Sequence, residues 1–90
     1  MFCLKYSSRF KKDLKCYKNN KTVLVELEKI LDILIKGDKL PARNLNHSLR
    51  GEFKGCLECH IEPDVLLVYK IENKEVMILL LRIGSHSKLF

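Results

Sequence analysis

The sequence predicts an α+β fold in which an N-terminal strand and a helical hairpin precede an antiparallel β-meander. Two periodicities predict it: apolar side chains recur every three or four residues in the first third of the chain, and every second residue from Leu57. The 90 residues are 47% hydrophobic and 31% charged, which is enough apolar material for one modest core. We therefore expect a single domain spanning residues 1–90.

A strand and a short basic helix open the chain. Leu4 and Tyr6 indicate the strand, and Ser7-Ser8 can cap the following helix. The second helix follows the break at Asn19-Asn20, with Thr22 as its expected cap, and it ends at Lys36-Gly37. Because about three residues join the helices, they should form a hairpin. The apolar faces of the two helices consist of Phe10, Leu14 and Tyr17, and of Val23, Leu24, Leu27, Ile30, Leu31 and Leu34.

The second half of the chain predicts a loop and three strands. Residues 38–51 lose all periodicity and contain Pro41, so we expect a loop there. Strands then follow over residues 57–62, 65–71 and 76–83, and the last is apolar on both faces, which favours a place inside the sheet. Gly84 should end this strand and leave a polar tail. In the first strand of the three, Leu57, Cys59 and Ile61 should face the core, and Glu58, His60 and Glu62 should face outward.

The positive charge is concentrated at the N-terminus. Residues 1–21 hold seven basic side chains and one acid, Asp13. This segment alone accounts for the formal net charge of +6. Such a patch attracts polyanions. Nucleic acid is the favoured partner, an acidic protein segment is the competitor, and a merely solvated helix face is the third interpretation. The basic residues are Lys5, Arg9, Lys11, Lys12, Lys15, Lys18 and Lys21.

Several classes of protein are disfavoured. The longest apolar run, residues 76–81, is far shorter than the roughly 20 residues of a membrane span, and the N-terminus lacks the apolar segment of a secretory signal. We therefore expect a cytoplasmic protein with four free thiols.

The motif Cys56-Leu-Glu-Cys59-His60 matches the pattern for haem attachment, but in an alternating strand its two cysteines point to opposite faces. Haem and zinc are rejected on that ground, and no metal or other cofactor is expected.

Three histidines suggest chemistry on RNA. His47, His60 and His86 lie in a loop, on an outward strand face and in the tail. If they converge with Asp64 and Arg82 at one sheet edge, they supply what metal-free RNA cleavage needs. One group deprotonates the 2′-hydroxyl, another protonates the leaving 5′-oxygen, and a cation holds the phosphate.

Longer motifs resemble a known family. The segments are Leu4-Lys-Tyr-Ser-Ser-Arg-Phe-Lys-Lys-Asp-Leu14, Leu40-Pro-Ala-Arg43, His47-Ser-Leu-Arg-Gly51, Lys54-Gly-Cys-Leu-Glu-Cys-His-Ile-Glu-Pro-Asp64, Leu66-Leu-Val-Tyr69 and Leu81-Arg-Ile-Gly-Ser-His-Ser-Lys-Leu-Phe90. Together they resemble the YafQ branch of the RelE/ParE toxin superfamily over almost the whole chain. The motifs E-C-H-I-x-P-D and G-S-H-S-x-L-F are the most specific part of this resemblance.

The resemblance implies a type II toxin, a ribosome-dependent endoribonuclease that cuts mRNA and is inhibited by an acidic antitoxin. It assigns proton transfer to His60, Asp64 and His86 and phosphate stabilisation to Arg82, and it leaves open which histidine is the base. His47 and Phe90 would position the RNA. From its place on the strand, Glu58 would orient His60 or act in its place, and the nucleic-acid interpretation of the patch adds Lys11, Lys12, Lys15 and Lys18 as RNA contacts.

The sequence departs from the family pattern at Val65 and Leu57, where relatives often carry tryptophan and arginine. The first departure weakens base stacking and the second removes a phosphate contact. Two non-enzymatic alternatives remain: a superfamily member that acts by binding, as gyrase-targeting toxins are thought to do, and a basic nucleic-acid-binding module that uses the first helix. Codon preference and the identity of the antitoxin stay undetermined.

Overall fold

The sheet is mixed and has five strands. The structure, a computed structural model, describes residues 1–90 apart from the side chain of Glu52. The strand order is β1-β5-β4-β3-β2, with β1 parallel to β5 and all other neighbours antiparallel. This arrangement confirms the α+β fold, the meander and the interior position of the last strand. The strands are β1 (Cys3–Tyr6), β2 (His47–Ser48), β3 (Leu57–Glu62), β4 (Val65–Glu72) and β5 (Met77–Gly84).

Side chains cap the first two helices. Helix α1 spans Ser8–Leu14 and continues as a 3₁₀ turn, Lys15–Tyr17; the side chain of Ser7 accepts the Phe10 N–H at 3.0 Å. Helix α2 spans Lys21–Ile35. Its cap is Asn20, whose side chain accepts the Val23 N–H at 3.2 Å. The expectation of Thr22 as the cap was wrong, because the asparagine that interrupts the first helix also caps the second.

Both long helices pack on the same face of the sheet. This main core joins Phe10 of α1 to the buried stripe of α2 and to the inward side chains of β3, β4 and β5. The opposite sheet face, called the second face below, carries a smaller core. Cys56, Leu66, Val68 and Leu89 form the second core, with Leu49, Phe53 and Leu81 packed against it.

The second face differs from the sequence predictions in three ways. The expected loop over residues 38–51 contains β2, a two-residue strand that pairs with Leu57 and Glu58. The expected polar tail folds into helix α3 (His86–Leu89), whose Leu89 enters the second core. Glu58 faces away from the main core as predicted, but it is 5% exposed, because β2 and the second core cover that part of the sheet.

The cysteines lie as the strand alternation predicts. Cys59 belongs to the main core and Cys56 to the second core, so the two thiols lie on opposite sides of the sheet. All four cysteines are free. Among the side chains that the structure describes, no three histidine, cysteine or acidic groups lie together as a metal site. Within the same residues, no helix has the length and apolarity needed to span a bilayer.

Candidate active site

The sheet register aligns three predicted site residues in one row. His47 pairs with Glu58, Glu58 with Val68, and Val68 with Arg82, across four strands, and the β4–β5 register shifts next to Arg82, between Val68 and Tyr69. In the neighbouring row, His60 pairs with Leu66 and Leu66 with Gly84. Since neighbouring strands are about 4.8 Å apart, His60 lies about 10 Å from the end of β5. His86 follows that end by two residues, so both histidines belong to the same end of the sheet.

Glu58 is held by His47. Its Oε1 lies 3.3 Å from His47 Nε2, and His47 Nδ1 lies 2.8 Å from the carbonyl oxygen of Leu45. Strand β2 thus brings an exposed imidazole against a buried carboxylate. This carboxylate lies in the row next to that of His60. The expected contact between Glu58 and His60 does not form in the structure, where Glu58 pairs with His47.

His60 lies where β3 loses its outer neighbour, because β2 pairs only with residues 57 and 58. The backbone carbonyl of His60 accepts the side-chain N–H of Asn44 at 2.7 Å, and Asn44 is itself buried. The β3–β4 register then shifts between His60 and Glu62. His60 is half-buried and lines a cleft of about 610 Å³ that also borders α2 and residues 43–45. This cleft therefore lies at the outer edge of β3, on the side of α2.

Arg82 is bound by Asp13, the single acidic residue of the N-terminal basic segment. Nε lies 2.7 Å from Oδ2 and Nη2 lies 3.2 Å from Oδ1. Burial by itself would raise the pKa of the Asp13 carboxyl, but the bonds from Arg82 and the Ile83 N–H, with the charges of Arg82 and Lys88, hold it below 3.8. The same pair raises the pKa of Arg82. Both groups are therefore charged at neutral pH.

Asp64 lies exposed in the turn between β3 and β4. It is close enough to Tyr17 to act on it: burial raises the pKa of the Tyr17 phenol, and the charges of Cys16, Asp64 and Asp13 raise it further against the opposing charge of Lys88. Lys88 Nζ also lies 3.4 Å from Cys16 Sγ. The meander turn, the end of α1 and helix α3 thus meet at one end of the sheet.

Aromatic contacts fix the C-terminal helix. Ser85 caps α3 by accepting the Lys88 N–H at 3.3 Å. The rings of His86 and Phe90 are 5.3 Å apart, and Phe90 meets Phe53 edge-on at 5.3 Å. His86 and Phe90 are nevertheless exposed. The helix therefore presents a titratable ring and an aromatic ring side by side.

The basic patch lies along α1 and the turn after it. Lys11, Lys12, Lys15 and Lys18 are all exposed. Lys11, Lys15 and Lys18 border a shallow groove of about 350 Å³, which the apolar side chains of Leu14 and Leu24 also line. Such a groove suits an anionic partner that also carries apolar side chains.

Sequence reasoning missed two parts of this site. Asp13 was counted as the single acid of the basic segment, but its position three residues after Phe10 places it on the buried face of α1. Phe53 follows a stretch without periodicity, and no local signal indicates its contact with Phe90. Both contacts join residues that are far apart in sequence.

Comparison with known proteins places the chain in a class. Residues 2–90 match the family model described as "Bacterial toxin of type II toxin-antitoxin system, YafQ". The molecule is thus a bacterial type II toxin with the fold described above. Within that class, the chain belongs to the YafQ family.

Individual relatives match over nearly their whole length. The mRNA interferase toxin YafQ of Escherichia coli strain K12 is 33% identical over 88 residues, which cover 97% of this chain and 94% of that protein. A metal-bound toxin from Helicobacter pylori superimposes with a TM-score of 0.91 at 40% identity, with both chains fully covered. The E. coli DinJ–YafQ complex contains a chain that superimposes with a TM-score of 0.87 at 32% identity, covering 100% of this chain and 99% of that one.

Proposed function

We propose that the chain is the mRNA interferase of a type II toxin–antitoxin pair, an endoribonuclease that cuts mRNA on the ribosome by metal-independent acid–base catalysis. The observation that carries this proposal is the sheet register, which puts His60 and the end of β5, next to His86, in one row of the second face. The name of the E. coli relative, mRNA interferase toxin, supports it independently. The non-enzymatic alternatives give no role to two histidines at one end of the sheet.

The reaction needs two proton transfers. One group takes the proton of the ribose 2′-hydroxyl, whose oxygen attacks the adjacent phosphorus, and a second group gives a proton to the departing 5′-oxygen. The products are a 2′,3′-cyclic phosphate and a 5′-hydroxyl. His60 and His86 fit these roles because imidazole exists in both protonation forms near neutral pH. Asp64, exposed in the turn at the same end, shares in the proton transfer.

Charge develops on the phosphate as the 2′-oxygen attacks. Arg82 offers N–H donors to these oxygens, since a guanidinium has five donors and Asp13 occupies two of them. Its side chain is 15% exposed, so the remaining donors act in a site partly shielded from water, where such bonds are stronger. Arg82 is thus the cation for the transition state.

The RNA is positioned by groups around this centre. Phe90 offers an exposed ring on which a base can stack. His47, exposed beside Glu58, lies in the row next to His60 and can contact the neighbouring nucleotide. The four lysines of the basic patch bind phosphates further away and orient the toxin on the ribosome.

The antitoxin is the second partner. The DinJ–YafQ structure is a toxin–antitoxin complex of a relative, and the groove beside α1 has lysines at its rim and leucines among its lining residues. We infer that an acidic, partly disordered segment with apolar side chains folds into this groove. The toxin acts in the cytoplasm, where the ribosomes are.

Induction in growing cells tests the proposal. Expression without the antitoxin should arrest growth, and primer extension should show new 5′ ends within translated regions only. A matched transcript without a start codon serves as the control. Equal cutting of that transcript would remove ribosome dependence, and growth arrest without new ends in either transcript would favour a toxin that acts by binding.

A further inference from the structure

Asp13 occupies the edge of β5 that β1 leaves open. Strand β1 pairs with β5 as far as Tyr6 and Leu80, and the chain then turns away, with Ser7 donating to the carbonyl oxygens of Leu80 and Leu81. The Ile83 N–H lies beyond this last contact. Oδ2 of Asp13 accepts it at 3.2 Å. The carboxylate of α1 thus replaces the strand partner that β5 lacks.

The same carboxylate fixes the plane of the Arg82 guanidinium. Two N–H groups, on Nε and Nη2, bind its two oxygens at 2.7 and 3.2 Å, which is the forked geometry that arginine and carboxylate favour. Because Oδ2 is also bonded to the backbone of β5, the carboxylate cannot rotate without losing a second bond. Asp13 is 5% exposed, so water does not compete for these bonds. The guanidinium is therefore held from the side of α1, and three of its five donors remain for another ligand.

We propose that Asp13 is a positioning residue of the ribonuclease site, acting through Arg82 to orient its remaining donors toward the scissile phosphate. This inference rests on the proposed function. A flexible arginine would lose side-chain freedom on binding the phosphate, whereas Arg82 has lost it on folding. A guanidinium fixed in this way needs no reorganisation when charge develops on the phosphate in the reaction.

A double-substitution cycle separates positioning from simple support of the fold. Asp13→Asn keeps the size of the side chain and an acceptor for Ile83, but replaces one carboxylate oxygen by an N–H₂ that repels the guanidinium. We expect it to lower the single-turnover cleavage rate on programmed ribosomes about 10- to 100-fold at saturating toxin. In the Arg82→Ala background the same substitution should change the rate less than about twofold, because the residue it acts through is absent. Asp32→Asn, an exposed acid of α2, is the matched control and should cut at the parent rate.

A spectroscopic measurement accompanies the rates, so that loss of fold is not mistaken for loss of positioning. In the parent, the Arg82 Nε–H should give a ¹⁵N-correlated NMR signal protected from solvent exchange, and Asp13→Asn should abolish that protection while backbone signals of β4 stay in place. Parent-rate cutting by Asp13→Asn, with Arg82→Ala impaired, overturns the positioning role and leaves the ribonuclease proposal standing. Equal loss from Asp13→Asn with and without Arg82 also overturns it, because Asp13 would then act on the fold. Parent-rate cutting by Arg82→Ala and His86→Ala together overturns the ribonuclease proposal itself.

Discussion

His47 Nε2 lies 3.3 Å from Glu58 Oε1, while Nδ1 of the same ring lies 2.8 Å from the carbonyl oxygen of Leu45. A carbonyl oxygen only accepts hydrogen bonds, so Nδ1 must donate. Nε2 of the same ring faces the Glu58 carboxylate, so the imidazole lies between two acceptor oxygens. The buried carboxylate thus depends on an exposed ring for its partner.

Removal of the His47 ring should destabilise the fold. In His47→Ala the Glu58 carboxylate, whose side chain is 7% exposed, loses this partner, and we expect the free energy of unfolding to fall by about 1–3 kcal/mol. Urea denaturation at pH 7 measures the change. His86→Ala removes an exposed ring that pairs with no carboxylate among the described side chains, and should cost less than about 0.5 kcal/mol. A combined His47→Ala and Glu58→Gln variant should recover part of the loss; equal stability of His47→Ala and parent would contradict the account.

The Asp13–Arg82 pair should make stability depend on acid pH. The pKa of Asp13 is lowered in the folded state from its ordinary 3.8, so the unfolded state binds protons first as the pH falls. The contribution of the pair is therefore complete above about pH 4–5 and is lost as the pH drops through the lower folded-state value. We expect Asp13→Asn to be less stable than the parent at pH 7, with a gap that narrows below pH 3.8. A gap that widens in acid would contradict the assignment.

Two buried groups of the main core, a thiol and a phenol, should make the stability of the fold depend on alkaline pH. Burial raises the pKa of the Cys59 thiol from 9.0 to about 12 and that of the Tyr69 phenol from 10.0 to about 12. Both groups stay neutral in the folded state after the unfolded chain has begun to ionise, so stability is full below pH 9 and falls between pH 9 and 12. Tyr69→Phe should flatten this fall above pH 10, as thermal melts at pH 8 to 11 would show. If the slope is unchanged in that variant, ionisation of Tyr69 is not a cause of the loss of stability.

Local patterns in the sequence predicted the elements that are long enough to show a period. The α2 stripe ends at residue 35 and Gly37 adopts a φ of +76° as a helix stop requires, and the apolar run of β5 lies inside the sheet. Strand β2 was missed because two residues cannot show a period. Because β2 was not predicted, the burial of Glu58 was not predicted either. The alternation of β3 did assign Glu58 correctly to the face opposite the main core.

The contacts within the candidate site could not be predicted from local sequence patterns. Residue types and motifs indicated His60, Asp64, Arg82 and His86, and the register places His60 and Arg82 in neighbouring rows of the sheet. The partner of Arg82 lies 69 residues away in sequence, and no local pattern links a helix acid to a strand arginine at that distance. The expected contact of Glu58 with His60 did not form because β2 supplies His47 instead.

Charge reversal in the basic patch should weaken the antitoxin complex. Replacing Lys11, Lys12 and Lys15 together by glutamate removes attraction for an acidic segment, so affinity should fall and its dependence on salt should flatten. The matched control replaces Lys29, Lys36 and Lys39, also exposed lysines, with the same change in net charge. Equal losses in both variants would mean that only net charge matters, and an unchanged affinity at low salt would place the partner elsewhere.

Single-turnover cleavage of mRNA on a programmed ribosome, with toxin at saturation, tests the ribonuclease assignment most directly. His60→Ala and His86→Ala should each lower the rate about 10²- to 10⁴-fold, since each removes a proton-transfer group. Lys15→Ala should weaken ribosome binding and leave the saturated rate nearly intact, because its phosphate contact is remote from the reacting centre. If both histidine variants bind the ribosome and cut at the parent rate, the toxin does not use these groups for catalysis and the assignment is wrong.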